Sequence, residues 1–417
     1  MHDASTPQVP QARTRAPIRG PLPLLGPAFV TAIAYVDPGN FATNVSAGST
    51  FGYLLVWVVV VSNVMAMLIQ YLSAKAGIAT GQSLPALCRS HFSKPLVWCL
   101  WVQAEIVAIA TDLAEVVGGA IALKLLFDMP LALGGLITAV IAFALLGFQS
   151  RGHRPYELAI VGLLAVILVG LCYNAFAGGV QPESILSGTL PRFDGQESLL
   201  LATGMLGATV MPHAIYVHGA LTQDRYVITT EEDRGALLRS QRLDVAVAMT
   251  LAGVMNLALL VIAAKVFSGD PRSIDTIEAA HGAIGDKVGA VAALLFALAL
   301  LASGFAASSV GTFAGQVIMG GFLQRRIALP VRRLVTLAPA LVLLAADVDP
   351  TRALVISQVV LSFGIPIALI PLVLFTSRRS VMGSLVNRRI TTAAASLVAT
   401  VIIALNAVLI GLTVFGS

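Results

Sequence analysis

The sequence predicts an all-α polytopic membrane protein in which eleven transmembrane helices form two inverted five-helix repeats plus one additional helix, with helices 1 and 6 broken mid-membrane. Three observations carry this expectation. Of the 417 residues, 57% are hydrophobic and 11% charged, with a mean hydropathy of +0.88, a balance outside that of soluble globular domains. Apolar stretches of about 20 residues, the length that crosses a bilayer core, recur along the chain. Two of them, the first and the sixth, are interrupted by polar, proline-containing tetrapeptides, "DPGN" at 37–40 and "MPHA" at 211–214.

Taken in order, residues 1–22 contain prolines and arginines but no apolar run, and they read as a disordered cytoplasmic tail rather than a cleavable signal. The first repeat is expected over 23–178, with helices near 24–46, 52–77, 95–124, 130–149 and 157–178. The second covers 199–376, with helices near 199–221, 243–267, 288–319, 332–347 and 351–376. The additional helix, near 391–415, lies in 390–417. Basic residues test this order, because Lys and Arg accumulate on the cytoplasmic side. With the N-terminus inside, Arg13 to Arg19 precede helix 1, Lys75 to Lys94 follow helix 2, Arg151 and Arg154 follow helix 4, and Arg225 to Arg242 follow helix 6. Arg325 to Arg333 and Arg378 to Arg389 fall on the same side. Of the 26 Lys and Arg, 20 lie inside; only Lys124, Arg192, Lys265, Arg272, Lys287 and Arg352 lie outside. A missed span would scramble every later loop, so the N-terminus is expected in the cytoplasm and the C-terminus outside.

Composition narrows function as well. The net charge of +5 belongs to cytoplasmic loops, so no nucleic-acid partner is implied. Cys88, Cys99 and Cys172 lack paired spacing and read as small core residues. Five helices separate one break from the other, and an odd number inverts the second unit relative to the first, the layout of many secondary transporters.

An intramembrane carboxylate costs about 2.5–3.5 kcal/mol on insertion scales, so Asp37 is expected to face a cavity, a partner or a cation. Asn40, three residues on, can present an amide oxygen on the same side at helical spacing. Met211, directly before Pro212, adds a thioether. Carboxylate, amide and thioether together suit a borderline-soft transition metal better than Mg²⁺ or Ca²⁺, which demand oxygen shells. Asp37, Asn40 and Met211, with carbonyls freed near Ala34 and Ala208, therefore read as a divalent-metal site.

The "DPGN" and "MPHA" pair resembles the paired signatures of Nramp transporters, proton-coupled importers of manganese and iron that include bacterial manganese-uptake proteins. The resemblance covers nearly all of the chain after the tail. It implies a LeuT-like fold and metal binding by Asp37, Asn40 and Met211 with the carbonyls of Ala34 and Ala208. It also implies an approach of Gln358, within "VISQVVLSFGIP", to the metal in some states. In helix 3, "QAEIVAIATDLAEVVGGA" resembles the family's acidic helix, so Glu105, Asp112 and Glu115, together with Asp37, are implied in a proton route. Arg332 and Arg333 of "PVRRLV" correspond to its facing cations. His213 and His218 match proton-related or gating positions. The chain departs from the pattern in helix 8, where Phe305, Ala306 and Ala307 replace polar residues and leave Ser308, Ser309, Thr312 and Gln316.

The expected function is therefore that of a secondary transporter, not an enzyme. It imports divalent transition-metal ions such as Mn²⁺ and Fe²⁺ with proton symport by alternating access, the metal being substrate and no cofactor being needed. Its partners are metal ions, protons and the lipid bilayer, and its location is a bacterial plasma membrane. An organic-solute or amino-acid carrier on the same scaffold is the alternative, disfavoured because acidic Asp37 beside the break repels a substrate carboxylate. A metalloenzyme built on "HAIYVH" lacks the one-face spacing of H-E-x-x-H.

Overall fold

The polypeptide is helical wherever it can bury an apolar face, and the helices change course where proline, glycine or clustered polar residues interrupt the pattern. The structure is a computed structural model describing residues 26–150, 153–179, 182–223, 231–267, 276–325, 329–346 and 348–415. The tail expected at 1–22 lies outside the described residues. Helix 1 is split into α1 (Pro27–Ala32), a 3₁₀ turn (Ile33–Val36) and α2 (Pro38–Phe51). There follow α3 (Val56–Thr80), α4 (Leu84–His91), α5 (Lys94–Phe127), α6 (Leu131–Ser150), α7 (His153–Ala177) and α8 (Pro182–Ser187). Helix 6 is split into α9 (Gly195–Thr209) and α10 (Pro212–Gln223). The chain continues through α11 (Glu231–Phe267), α12 (Ile277–Lys287), α13 (Ala290–Leu323), α14 (Leu329–Ala345), α15 (Pro350–Thr376), α16 (Arg379–Met382) and α17 (Arg389–Phe415).

Every expected span contains a helix. Among the described residues, eight helices are long and apolar enough to cross a membrane, and Pro27–Val36, Leu131–Ala144 and Leu334–Ala345 are shorter apolar stretches. Helix 1 falls short because its break divides it. Two features went beyond the sequence reading. The loops carry short helices, α4, α8, α12 and α16, and α11 starts twelve residues earlier than expected. The polar segment "EEDRGALLRSQR" has no proline to stop a helix and only one glycine, so it extends the membrane helix without needing apolar character.

Packing follows the inverted repeat. Exchanging the first five helices for the next five carries observed contacts onto observed contacts. α2 packs on α11 as α10 packs on α3; α7 packs on α13 as α15 packs on α5; α6 packs on α13 as α14 packs on α5. The pairs α5 with α13 and α3 with α11 map onto themselves. Outside the repeats, α17 is tied to α15 by Ser362 Oγ donating to Asn406 Oδ1 (2.8 Å) and Asn406 Nδ2 donating to the Ser362 carbonyl (3.0 Å). Large apolar side chains such as Leu158, Val169, Phe176 and Leu397 point outward. That is where an integral membrane protein needs them, because lipid replaces water around the bundle.

Candidate metal site between two broken helices

The first break is built by three residues. Asp37 leaves the helical region (φ −77°, ψ 171°) and becomes the N-cap of α2. Pro38 takes the first helical position, where its missing N–H costs nothing. Asn40 closes a reciprocal cap: its backbone N–H donates to Asp37 Oδ1 (2.8 Å), and its Oδ1 accepts from the Asp37 N–H (3.3 Å). Asp37 and Asn40 are thus brought together by capping. The helical spacing assumed from sequence does not apply, because Asp37 is extended. At the second break α9 ends at Thr209, Val210 adopts φ −107°, ψ 67°, Met211 stands between the helices, and Pro212 again opens the next one.

The carbonyls released at the first break have specific receivers. Asn256 Nδ2 of α11 donates to the Tyr35 carbonyl (2.6 Å), and Ser303 Oγ of α13 donates to that of Val36 (2.6 Å). Asn44 Nδ2 in turn donates to Asn256 Oδ1 (2.9 Å). Asp244 of α11 accepts from the Gly26 and Ala28 N–H groups (2.9 Å to Ala28) and caps α1. None of these four supports was singled out from the sequence. A lone polar residue in an apolar run is a signal, but its partner lies more than 200 residues away in all four cases.

Gln358 of α15 joins the two breaks. A Cβ placed on Gly39 would stand 2.0 Å from Gln358 Nε2, and one on Gly207 would stand 2.0 Å from the Gln358 carbonyl. The glutamine is therefore seated against both broken helices, and the two glycines exist to admit it. Asp37 is 1% exposed; Asn40, Met211, Ala208 and Gln358 are fully buried and Ala34 nearly so. Asp37 Oδ2 and Gln358 Oε1 are buried oxygens with no hydrogen-bond donor among the described residues, and Asn40 Nδ2 likewise lacks an acceptor. Such atoms are costly to bury unless something meets them. Two orphaned buried acceptors, one at the first break and one on the glutamine seated against both breaks, fit a divalent cation. Among the described residues no group of three or more His, Cys, Asp or Glu forms a metal cluster, so a site here has to use amide, thioether and carbonyl donors alongside its one carboxylate.

The other expected residues divide into two groups. On one side, His213 Nδ1 lies 3.2 Å from Thr111 Oγ1 of α5. Asp112 and Glu115 are buried on that helix, and a Cβ on Gly311 would stand 2.6 Å from Glu115 Oε1. Glu105, further toward the start of α5, pairs with Arg332 (3.0 Å) and accepts from Trp101 Nε1 (3.2 Å). The Arg332 guanidinium rests on Gly315 of α13, where a Cβ would be 2.2 Å from Cζ. The side chain of Arg333 lies outside the described residues. On the other side, His218 does not accompany His213: its Nδ1 meets Gln70 Oε1 (2.7 Å) and its Nε2 meets Gln241 Oε1 (3.3 Å). Gln70 also donates to the Tyr35 hydroxyl. The five-residue spacing turns the two imidazoles toward different neighbours.

Residues 28–412 match the family described as natural resistance-associated macrophage protein-like, Nramp. The chain belongs to the Nramp family. It is 49% identical over 393 residues to a Bacillus subtilis (strain 168) protein named divalent metal cation transporter MntH, covering 94% of this chain and 92% of the relative. It is 52% identical over 403 residues to the Mycobacterium leprae (strain TN) protein of the same name, covering 96% and 94%. A crystal structure of a mutant Eremococcus coleocola manganese transporter aligns with a TM-score of 0.86 at 31% identity, covering 97% of this chain and 91% of that one. The nucleobase-cation-symport-1 family transporter Mhp1 aligns with a TM-score of 0.61 at 15% identity, over 92% and 90%, which shows a shared fold and nothing more. As an Nramp protein, the chain is a transporter and not an enzyme.

Proposed function

We propose that the protein imports divalent transition-metal ions, Mn²⁺ and Fe²⁺ first among them, together with protons by alternating access across a bacterial plasma membrane. The observation that carries this is the seating of Gln358 against both broken helices, with buried, unpaired oxygens on Asp37 and on Gln358 itself. The names of the MntH relatives and of the manganese transporter support the same substrate class. Asp37, Asn40 and Met211 bind the ion through side chains, Ala34 and Ala208 through carbonyls, and Gln358 closes over it. Thioether sulfur favours a borderline-soft ion and is a poor ligand for Ca²⁺ or Mg²⁺.

Coupling follows from the carboxylate. Asp37 has to be deprotonated to bind metal, so metal binding releases a proton. α5 is the natural route for it: Gly118 packs directly under Pro38, and Glu115 and Asp112 occupy the preceding turns. His213 at the second break is hydrogen-bonded through Thr111 to the same helix, and Glu105 with Arg332 ends the route, with Arg333, the next residue in sequence, as the second cation. His218, bound to Gln70 and Gln241, serves gating. The repeats, 23–178 and 199–376, move relative to one another while 390–417 stays with α15. The N-terminus is cytoplasmic and the C-terminus outside, so an inside-negative potential drives each entering charge by about 2.3 kcal/mol per 100 mV.

The test is uptake into proteoliposomes under a membrane potential, comparing Mn²⁺ with Ca²⁺ in wild type and Met211→Ala while internal pH is recorded. Mn²⁺ entry with acidification, and Ca²⁺ gaining only in the variant, is the expected result. Absence of Mn²⁺ entry in folded protein would overturn the metal assignment and favour an organic-solute carrier.

A further inference from the structure

A second site stands apart from the broken helices, at the membrane end where α4, the start of α5 and the end of α13 converge. A cavity of about 300 Å³ opens there, lined by Arg89, Lys94 and Arg325 together with Phe92, Trp98 and Phe322. Three cations around one small cavity repel each other unless an anion joins them. Among the described residues none of the three has a carboxylate partner within ion-pair distance. Arg89 is partly committed: its guanidinium donates to the carbonyls of Gly320 and Gly321 (3.3 Å to Gly320), which fixes its place at the end of α13. Lys94 and Arg325 are exposed and have no such anchor.

The apolar side of the cavity indicates what kind of anion fits. Trp98 is 49% exposed and stacks edge-on against Trp101 at 5.2 Å, as aromatic residues do at the headgroup level of a bilayer. From Trp98, the outward face of α5 continues at four-residue spacing through Val102 and Ile106, 47% and 53% exposed, so an apolar track descends from the cavity into the hydrocarbon region. A basic pocket joined to such a track matches a phosphate that carries acyl chains, and basic pockets between membrane helices are where anionic headgroups bind. A free phosphate would use the cations alone and leave the track unused.

We propose that this cavity binds the headgroup phosphate of an anionic glycerophospholipid from the surrounding leaflet, with an acyl chain along Trp98, Val102 and Ile106. The lipid bridges α5 and α13, two helices that pack extensively against each other. The proposal does not depend on which ion is transported.

The test is lipid binding to the purified full chain, measured by native mass spectrometry with phosphatidylglycerol, with phosphatidylcholine of the same acyl chains, and with inorganic phosphate. Lys94→Gln/Arg325→Gln is expected to weaken phosphatidylglycerol binding roughly thirtyfold, about fivefold for each cation near the headgroup. Arg378→Gln/Arg379→Gln, which removes two exposed cations outside the cavity, is expected to bind as wild type. Should the double variant fail to fold, Lys94→Gln alone, at an exposed position, still reads the fivefold loss. Equal losses in the two double variants, equal binding of phosphatidylcholine, or displacement of the lipid by inorganic phosphate at comparable concentration would each overturn the proposal.

Discussion

Adding a single methyl group at Gly39 tests whether Gln358 completes the metal site. In Gly39→Ala the new Cβ would stand 2.0 Å from Gln358 Nε2, 2.2 Å from Cδ and 2.8 Å from Cγ. Ordinary contact begins at 3.4 Å, so the carboxamide must retreat from 2.0 Å by about 1.4 Å. Gln358 is the far end of a flexible side chain, and the helix keeps its own backbone, so the fold should survive. Alanine is also the better helix former. A displacement of that size moves the carboxamide away from the first break, where Asp37 stands two residues before Gly39. Disturbing a group that supports a bound metal typically costs 10- to 100-fold in affinity, so Mn²⁺ binding, measured by calorimetry on purified protein, should weaken by about tenfold or more. Because the methyl acts through the glutamine, Gly39→Ala/Gln358→Ala should bind no more weakly than Gln358→Ala alone, a non-additivity expected of residues in contact. Wild-type affinity in Gly39→Ala, or additive losses in the double variant, would refute the role of Gln358. Gly207→Ala serves as the contrast: its Cβ meets the Gln358 carbonyl at 2.0 Å and the Ser362 nitrogen at 2.9 Å. Neither can swing aside, so overpacking of about 1–3 kcal/mol should appear in thermal unfolding.

Other outcomes follow from the same geometry. Glu105→Gln leaves the Arg332 guanidinium largely buried without its partner and should lower stability by about 3 kcal/mol; adding Arg332→Gln should recover part of the loss in chemical denaturation. Asn256→Ala removes the donor to the Tyr35 carbonyl and leaves a buried acceptor empty, for a loss of about 1–3 kcal/mol measured as a fall in unfolding midpoint. Asp244→Ala uncaps α1 and should cost about 1 kcal/mol, visible as faster amide exchange at Gly26 and Ala28. Mn²⁺ affinity should fall as pH is lowered, since protons compete with metal for Asp37; in Asp37→Asn that pH dependence should vanish along with most of the binding.

Much of this protein was legible in its sequence because the bilayer imposes simple rules. Apolar length marks each span, and a proline beside polar residues inside an apolar run marks a break. Asp37, Asn40 and Met211 stand out on that ground and Gln358 through the resemblance to Nramp signatures; all four lie at or against the two breaks. The tertiary structure decided what depends on proximity across the chain. Asn40 serves Asp37 by capping, a consequence of the extended backbone at Asp37 that no spacing rule conveys. Gln358 reaches both breaks only because Gly39 and Gly207 leave room for it. Asn256, Ser303 and Asp244 take the broken helix's exposed backbone groups, and His213 and His218, close in sequence, face different helices. Periodicity records how each segment meets lipid or core, a local property of the chain; which distant residue satisfies a buried polar atom is settled only when all the helices pack together.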